Sequence, residues 1–202
     1  DSMVSAIKRG VMEMIGAAAS IKEQFGGPVS VLVVSDNPSG LVPAVNLTGV
    51  DKVILVKAPG NHFDPHLTEE AAIKAGEDLK PGLILCGQTV NGMSLAAAIA
   101  ARLGAGFASD VFGLKVEDGG IIATRGAYGN KVNLEVGFPG RGIVVLALRG
   151  ATFIVPAGAG SAPIQKPPCA GDLAGSWGWS ASAPPAASAA RSPARVRRIG
   201  PE

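Results

Sequence analysis

Apolar and polar positions along the first three quarters of the chain repeat with two periods, one helical and one of the extended chain. Residues 11–25 place Val11, Met14, Ile15, Ala18, Ile21 and Phe25 on one stripe, with Lys22 and Glu23 off it. Spacing of i, i+3, i+4, i+7 predicts an amphipathic helix packed on a sheet. Gly26 and Gly27 end it, since glycine accepts the left-handed cap conformation. Residues 29–34 are rich in valine and predict a strand; residues 38–49 predict a shorter helical piece, weakened by Pro43; residues 53–56 predict a second strand. Residues 68–78 predict a helix with Thr68 as N-cap and Glu69 and Glu70 in the first turn, where carboxylates suit the dipole.

The stretch 82–103 is the organising unit of the chain. Residues 83–86 form a continuous apolar run too short for a helix, the pattern of a strand buried on both faces. A polar turn at 87–92 leads into an Ala-rich helical segment at 94–103. Strand, Gly-containing turn and helix make a βα unit, expected at the centre of an open parallel sheet, with ligands or partners at the carboxyl end of its strand. From 107 to 148 the pattern changes to short β-like runs separated by turns, Asp118-Gly119-Gly120 among them. The expected fold is therefore α/β: an open, mostly parallel sheet with flanking helices and a strand-rich second half.

Composition divides the chain at Pro156. Up to that residue 13 Lys/Arg face 14 Asp/Glu, whereas residues 157–202 carry 5 against 2, so body and tail are different kinds of chain. The body, 1–156, reads as one domain. The tail, 157–202, is Ala, Pro, Ser, Gly and Arg with few large aliphatics, and it is expected to be disordered because it cannot bury enough apolar surface to offset ordering entropy. Trp177 and Trp179 fall in it. Such a composition is also what a GC-rich gene yields when read out of frame, so a frameshift or truncation product is a further expectation for the tail. A net charge of +2 gives no argument for nucleic acid. No apolar run approaches the ~20 residues of a bilayer span, and no signal-peptide pattern opens the chain. Two cysteines, Cys86 and Cys169, make no disulfide framework. The expected setting is cytoplasmic.

Candidate chemistry is sparse. His62 and His66 flank Asp64 at an i, i+4 spacing that suggests a metal, but Pro65 between them argues for a loop with two solvated histidines. Cys86 reads as a small core residue. No Gly-rich phosphate loop follows a strand, and no Ser-His-Asp or paired-carboxylate arrangement stands out, so neither catalytic nor metal residues are assigned. Two polar turns remain. Thr89, Asn91 and Gly92 lie in one; Arg125, Tyr128, Gly129 and Asn130 lie in the other, which reads either as an ordinary hairpin turn or as a partner-contacting loop.

An ordered series of short motifs resembles the N-terminal domain of the electron-transfer flavoprotein alpha subunit, the family that includes the FixB proteins. M-E-M-I-G-A-A from Met12 resembles the family's L-E-L-L-G-x-A helix, and G-V-D-K-V from Gly49 its G-A-D-K-V strand. A-A-R-L-G from Ala100 matches a helix ending, and Asp110 sits where the family has an aspartate. R-G-A-Y-G-N from Arg125 resembles R-P-A-Y-G-G-N, and L-R-G-A-T-F from Leu148 resembles V-R-P-G-x-F. The family's loop T-S-x-G-R-D falls on Thr89, Val90, Asn91, Gly92, Met93 and Ser94, so its charged decoration is absent here, and the following P-R is Ala97-Ala98. The family's opening strand, roughly V-L-V-x-A-E, has no counterpart before Val11.

The resemblance implies an adenine-nucleotide-hydrolase-like topology and an electron carrier rather than a classical enzyme. It implies a scaffold domain that packs on a beta subunit, in a heterodimer carrying electrons from acyl-CoA-type dehydrogenases, as in fatty acid beta-oxidation, to a quinone oxidoreductase or other acceptor. FAD is the cofactor of the parent family, held mostly by a C-terminal domain without counterpart in the tail, so no cofactor-binding residue is expected in this chain. Cytoplasm, or mitochondrial matrix in a eukaryote, is the implied compartment. Partner contact is expected at Arg125, Tyr128, Gly129 and Asn130, and at Thr89, Asn91 and Gly92. The alternative is a stand-alone nucleotide-binding or regulatory module without redox role.

Overall fold

The computed structural model describes residues 2–58, 63–165 and 195–199, with backbone only at 2–8 and 195–199. His62, Cys169, Trp177 and Trp179 lie outside the described residues. Among the described residues four helices and nine strands run in the order α1 (Ser2–Phe25), β1 (Ser30–Ser35), α2 (Pro38–Val45), β2 (Lys52–Lys57), α3 (Pro65–Leu79), β3 (Leu83–Gly87), α4 (Val90–Arg102), β4 (Gly106–Glu117), β5 (Gly120–Ala127), β6 (Val132–Gly137), β7 (Val144–Leu148), β8 (Ile164–Gln165) and β9 (Arg195–Ile199).

The expected α/β class holds, with helices on both faces of largely parallel strands. The strands are arranged in two open sheets. One is parallel, in the order β1-β2-β8; the other is mixed, in the order β3-β7-β4-β5-β6-β9. In the second, β3, β7 and β4 are parallel neighbours, while β4, β5, β6 and β9 continue as an antiparallel meander. Consequently β3 is an edge strand rather than the centre of a sheet. Its residues are only partly buried, against five fully buried positions in β7, which corrects the two-face burial expected for residues 83–86.

Helix α1 explains how the two sheets stay together. Ala17 and Ile21, with Met14 and Phe25, pack on β3, β4 and β7; Ile15, with Val11 and Met12, packs on Val33, Val53 and Leu55 of the smaller sheet. The helix therefore uses two apolar stripes, one per sheet, where its spacing suggested one. α2 lies on the same face, its Val45 joining the cluster around Ile15. On the opposite face α4 sets Ala96, Ile99 and Ala100 against Val145 and Ala147, and α3 packs along α4 and reaches β1. Arg102 joins α4 to α3 through Glu69 and Glu70, so those carboxylates serve an inter-helix contact beyond the helix dipole.

Helix starts differ from expectation for a capping reason. α3 begins at Pro65, and its N-cap is Asp64, whose carboxylate accepts from the backbone N–H of His66 and Leu67. Proline at the first helical position starts a helix, having no N–H to leave unpaired. His66 is thus a first-turn residue and not part of a loop, and Thr68 lies inside the helix with its hydroxyl donating to the Asp64 carbonyl. Likewise α4 starts at Val90 rather than 94, because Thr89 caps it by accepting from Gly92 N–H at 3.0 Å. The turn between β4 and β5 has Asp118 at φ 51° and Gly119 at φ 74°, the two-residue geometry that matches strand twist.

The packed chain runs past the Pro156 boundary. Leu47 bridges Ala159, Asn46 exchanges hydrogen bonds with Ala162, and β8 pairs with β2. Residues 195–199 add an antiparallel strand beside β6; residues 166–194 lie outside the described set.

Two features fasten α1 to the 150–156 segment. Glu13, 3% exposed, accepts from Arg9 Nε at 3.2 Å and from Ala151 N–H at 2.6 Å, which holds Ala151 at φ 58°. Gly16 lies so close to the crossing chain that a Cβ there would enter the Ile154 carbonyl oxygen. Gly10, in the same helix, has nothing within 4 Å of its Cβ direction. Accordingly Gly16→Ala should destabilise by about 1–3 kcal/mol, whereas Gly10→Ala should be neutral or stabilising by up to about 1 kcal/mol. Urea unfolding midpoints of the two variants check this pair.

Candidate functional site

The carboxyl ends of β3, β7 and β5, with the first half of β4 between them, gather the polar turns singled out from the sequence. After β3 the chain turns at Gln88, whose N–H donates to the Leu148 carbonyl of β7. Its side-chain amide donates to Met93 Sδ at 3.1 Å, and its Oε1 accepts from Asp110 N–H at 3.0 Å. Asp110 lies in an irregularity of β4, where the register against β7 shifts between Ala108 and Val111, and it adopts φ 60°. Asparagine and aspartate tolerate this left-handed region better than other side chains.

Arg149, just past β7, is the hub. Its Nε and Nη2 donate to the two Asp110 carboxylate oxygens at 2.8 and 2.6 Å, a bidentate pair. Nη2 also donates to Asn130 Oδ1 at 2.9 Å, and the guanidinium stacks over the Phe112 ring at 4.9 Å. Asn130 belongs to the loop between β5 and β6, where Tyr128, Gly129 and Asn130 all have positive φ. Gly126, opposite, has no room for a Cβ, which would strike Asn130 Oδ1 and approach Arg149 Nη2 at 3.2 Å. The two sequence-nominated turns are therefore linked, through Gln88–Asp110 on one side and Arg149–Asn130 on the other. Tyr128 is 82% exposed and Val90 87%, with Asn91, Gly129 and Met93 exposed as well.

Other nominated residues behave differently. Thr89 is engaged as the α4 cap and Gly92 closes against the Gly87 carbonyl, so both shape the start of α4. Arg125 sits within β5, opposite Val111, and its Nε is buried without a hydrogen-bond partner among the described residues. Its charge helps hold Asp110 ionised, behind the larger effect of Arg149. The hydrogen bonds from Arg149 lower the Asp110 carboxyl below its ordinary value, and the pairing raises the Arg149 guanidinium in return. Cys86 packs with the α4 cluster, and burial pushes its thiol up to about 11, so it is no thiolate at neutral pH. Among the described residues no group of three or more His, Cys, Asp and Glu could hold a metal ion, and no helix is long and apolar enough to cross a membrane.

Sequence profiles decide the family. The Electron transfer flavoprotein domain matches residues 2–170. The chain belongs to that family. It is 36% identical over 155 residues to an electron transfer flavoprotein subunit alpha of Methylophilus methylotrophus, covering 77% of this chain and 48% of the relative. It is 28% identical over 134 residues to protein FixB of Clostridium saccharobutylicum, covering 63% and 39%. It is 30% identical over 126 residues to subunit LctC of a lactate dehydrogenase (NAD(+),ferredoxin) of Acetobacterium woodii, covering 61% and 30%. The resemblance read from short motifs is thus confirmed as an alpha-subunit N-terminal domain, and the chain spans about half the length of these relatives or less.

The family is one of flavoproteins, and the face at the carboxyl ends of β3 and β7 can be tested against a flavin dinucleotide. Its pyrophosphate needs free backbone N–H groups or an unpaired cation. At the start of α4, Gly92 N–H goes to Thr89 Oγ1 and Met93 N–H to the Thr89 carbonyl, while Arg149 is already paired with Asp110. Neither of these two N–H groups nor the Arg149 guanidinium is free for a pyrophosphate.

What sequence reasoning missed is the pairing itself. Asp110 and Arg149 both stood in the motif series, 39 residues apart, but nothing local joins them. Because pairing lowers the folded-state pKa of Asp110 below its ordinary value of 3.8, its stabilisation is present above about pH 4 and is lost as pH falls through the lowered value. Both side chains are about one third exposed, so solvent limits the contribution to about 1 kcal/mol. Asp110→Asn should lower Tm by about 2–4 °C at pH 7 and by much less near pH 3, read by thermal unfolding at both values.

Proposed function

We propose that this chain is the scaffold portion of an electron-transfer flavoprotein alpha subunit, docking on a beta subunit within a complex that takes electrons from acyl-CoA-type dehydrogenases and delivers them to a quinone oxidoreductase or another acceptor. FAD in that complex is held outside the described residues, and its redox chemistry belongs to the assembly. The observation that carries the reading is the internal pairing at the carboxyl end of the larger sheet. Its cation and anion neutralise one another, leaving Tyr128, Val90 and Met93 exposed beside the polar Thr89, Asn91 and Asn130. A mixed face with its central charges paired internally and an aromatic at its rim suits a protein partner better than a phosphate-bearing ligand.

Co-expression with a beta subunit tests the partner. Tyr128→Ala should leave Tm unchanged, since the ring is exposed, and should weaken co-purification about tenfold. Equal recovery of variant and parent would remove Tyr128 from the interface. The purified chain alone should show no stoichiometric flavin absorbance, and a yellow one-to-one complex would refute the placement of FAD elsewhere. Calorimetry with AMP and ATP should show no micromolar binding; binding of that strength would favour the nucleotide-binding module instead.

A further inference from the structure

Asn91 and Gly92 form the only Asn-Gly step in the sequence, the other asparagines preceding Pro38, Leu47, His62, Lys131 and Leu134. Such a step carries a chemistry of its own. The glycine nitrogen attacks the side-chain carbonyl of the asparagine, and no Cβ on the following residue hinders the approach. A five-membered succinimide closes, ammonia leaves, and water opens the ring at either carbonyl. At this position the fold itself demands the glycine. A Cβ on Gly92 would enter the Gly87 carbonyl oxygen and crowd Thr89 Oγ1 at 3.0 Å, so a larger residue would push the start of α4 off the end of β3. Asn91 beside it is exposed.

What guards the step is local. Ring closure needs a backbone torsion at Asn91 outside the helical region, and α4 holds Asn91 helical. The attacking nitrogen is also engaged: Gly92 N–H donates to Thr89 Oγ1 at 3.0 Å, and Met93 N–H to the Thr89 carbonyl at 2.9 Å. Both guards rest on the first turn of the helix, and little holds that turn down. Val90 is 87% exposed and Met93 43%, Asn91 and Ser94 are exposed as well, and the first buried residue of α4 is Ala96. Valine, asparagine and glycine are also weak helix formers. A turn with so little apolar area to re-expose opens at the low end of the local-unfolding scale.

We propose that Asn91 is a site of spontaneous deamidation gated by the Thr89 cap: the reaction proceeds from the frayed first turn of α4, and the cap sets how often that turn opens. In balance, the Asn91 amide is lost as ammonia, one water is consumed, and no electrons move. The product is aspartate or isoaspartate. Either one adds a carboxylate to a face whose central charges, Asp110 and Arg149, cancel. They differ in the backbone. Aspartate in a first turn suits the helix dipole. Isoaspartate lengthens the chain by one methylene, for which Gly92 has no slack against the Gly87 carbonyl. The inference does not depend on the scaffold role in electron transfer.

The test incubates the full 202-residue chain at mildly alkaline pH, folded and in urea, and follows the peptide spanning residue 91 by mass spectrometry. A one-dalton gain at Asn91 is expected in both, faster in urea. Isomerisation at Asp118-Gly119 changes no mass and does not interfere. Thr89→Ala, which removes the cap oxygen, should speed the folded-state reaction about fivefold. Val90→Pro should slow it about two- to fivefold, since proline at the first helical position stiffens the turn and Thr89 at ψ 168° accommodates it. In urea all three chains should react at one rate, which separates the gate from the intrinsic chemistry. If Thr89→Ala does not fold, Val90→Pro alone decides. A folded chain with no gain at Asn91 while the unfolded chain converts, or folded variants that react at the parental rate, would overturn the proposal.

Discussion

The fold depends on one helix bridging two hydrogen-bonded sheets that share no strand. α1 supplies a separate apolar stripe to each, Met14, Ala17 and Ile21 on one side and Val11, Met12 and Ile15 on the other. Its rotation and height are fixed by polar contacts as much as by packing. The buried Glu13 carboxylate is tied to Ala151 N–H and Arg9, and Gly16 lets the chain around Ile154 cross at backbone distance. A buried carboxylate is tolerated only when such partners are supplied. Here the partner on the crossing chain is a left-handed turn, so helix position and the geometry of the segment after β7 are set together. That segment begins with Arg149, and the helix therefore reaches the candidate site through it.

Much of the architecture was legible in residue order. β-branched runs located β1 and β2, a short apolar run located β3, and the shift to β-like runs after residue 106 announced the meander, because these signals are local. What escaped were features decided by distant chain. Asp64 and Thr89 cap helices that begin earlier than propensity suggested, since Val90, Asn91 and Gly92 are weak helix formers drawn in by the cap. An apolar run at 83–86 looks the same whether its strand has one neighbour or two, so nothing in it disclosed an edge. The Asn46 contacts with Ala162 likewise join residues 116 apart, too far for pattern reading to extend the domain beyond Pro156.

The site was half legible. Composition of the turn at 125–130 marked it as unusual, and Tyr128, Gly129 and Asn130 do take left-handed backbone there. Thr89 and Gly92 drew notice as polar turn residues and serve the start of α4 instead. The link among Gln88, Asp110 and Arg149 came into view only in three dimensions. A lone aspartate and a lone arginine carry no sequence signature of pairing, whereas the β4 irregularity that brings them together is a property of the sheet.

Seen mechanically, the bridge formed by α1 makes the molecule unevenly stiff. Within either sheet, displacement must break backbone hydrogen bonds in a ladder, which fail together. Between the sheets, the connection runs through side chains of α1 on one face and of α3 on the other. A small rotation of β1, β2 and β8 against the larger sheet breaks no strand-to-strand hydrogen bond among the described residues, and it is opposed by repacking of aliphatic side chains and by the few polar contacts of α1, Lys22 with Asp51 among them. The compliant direction of this fold is thus a torsion about the long axis of α1, and Glu13 sits on that axis as its detent.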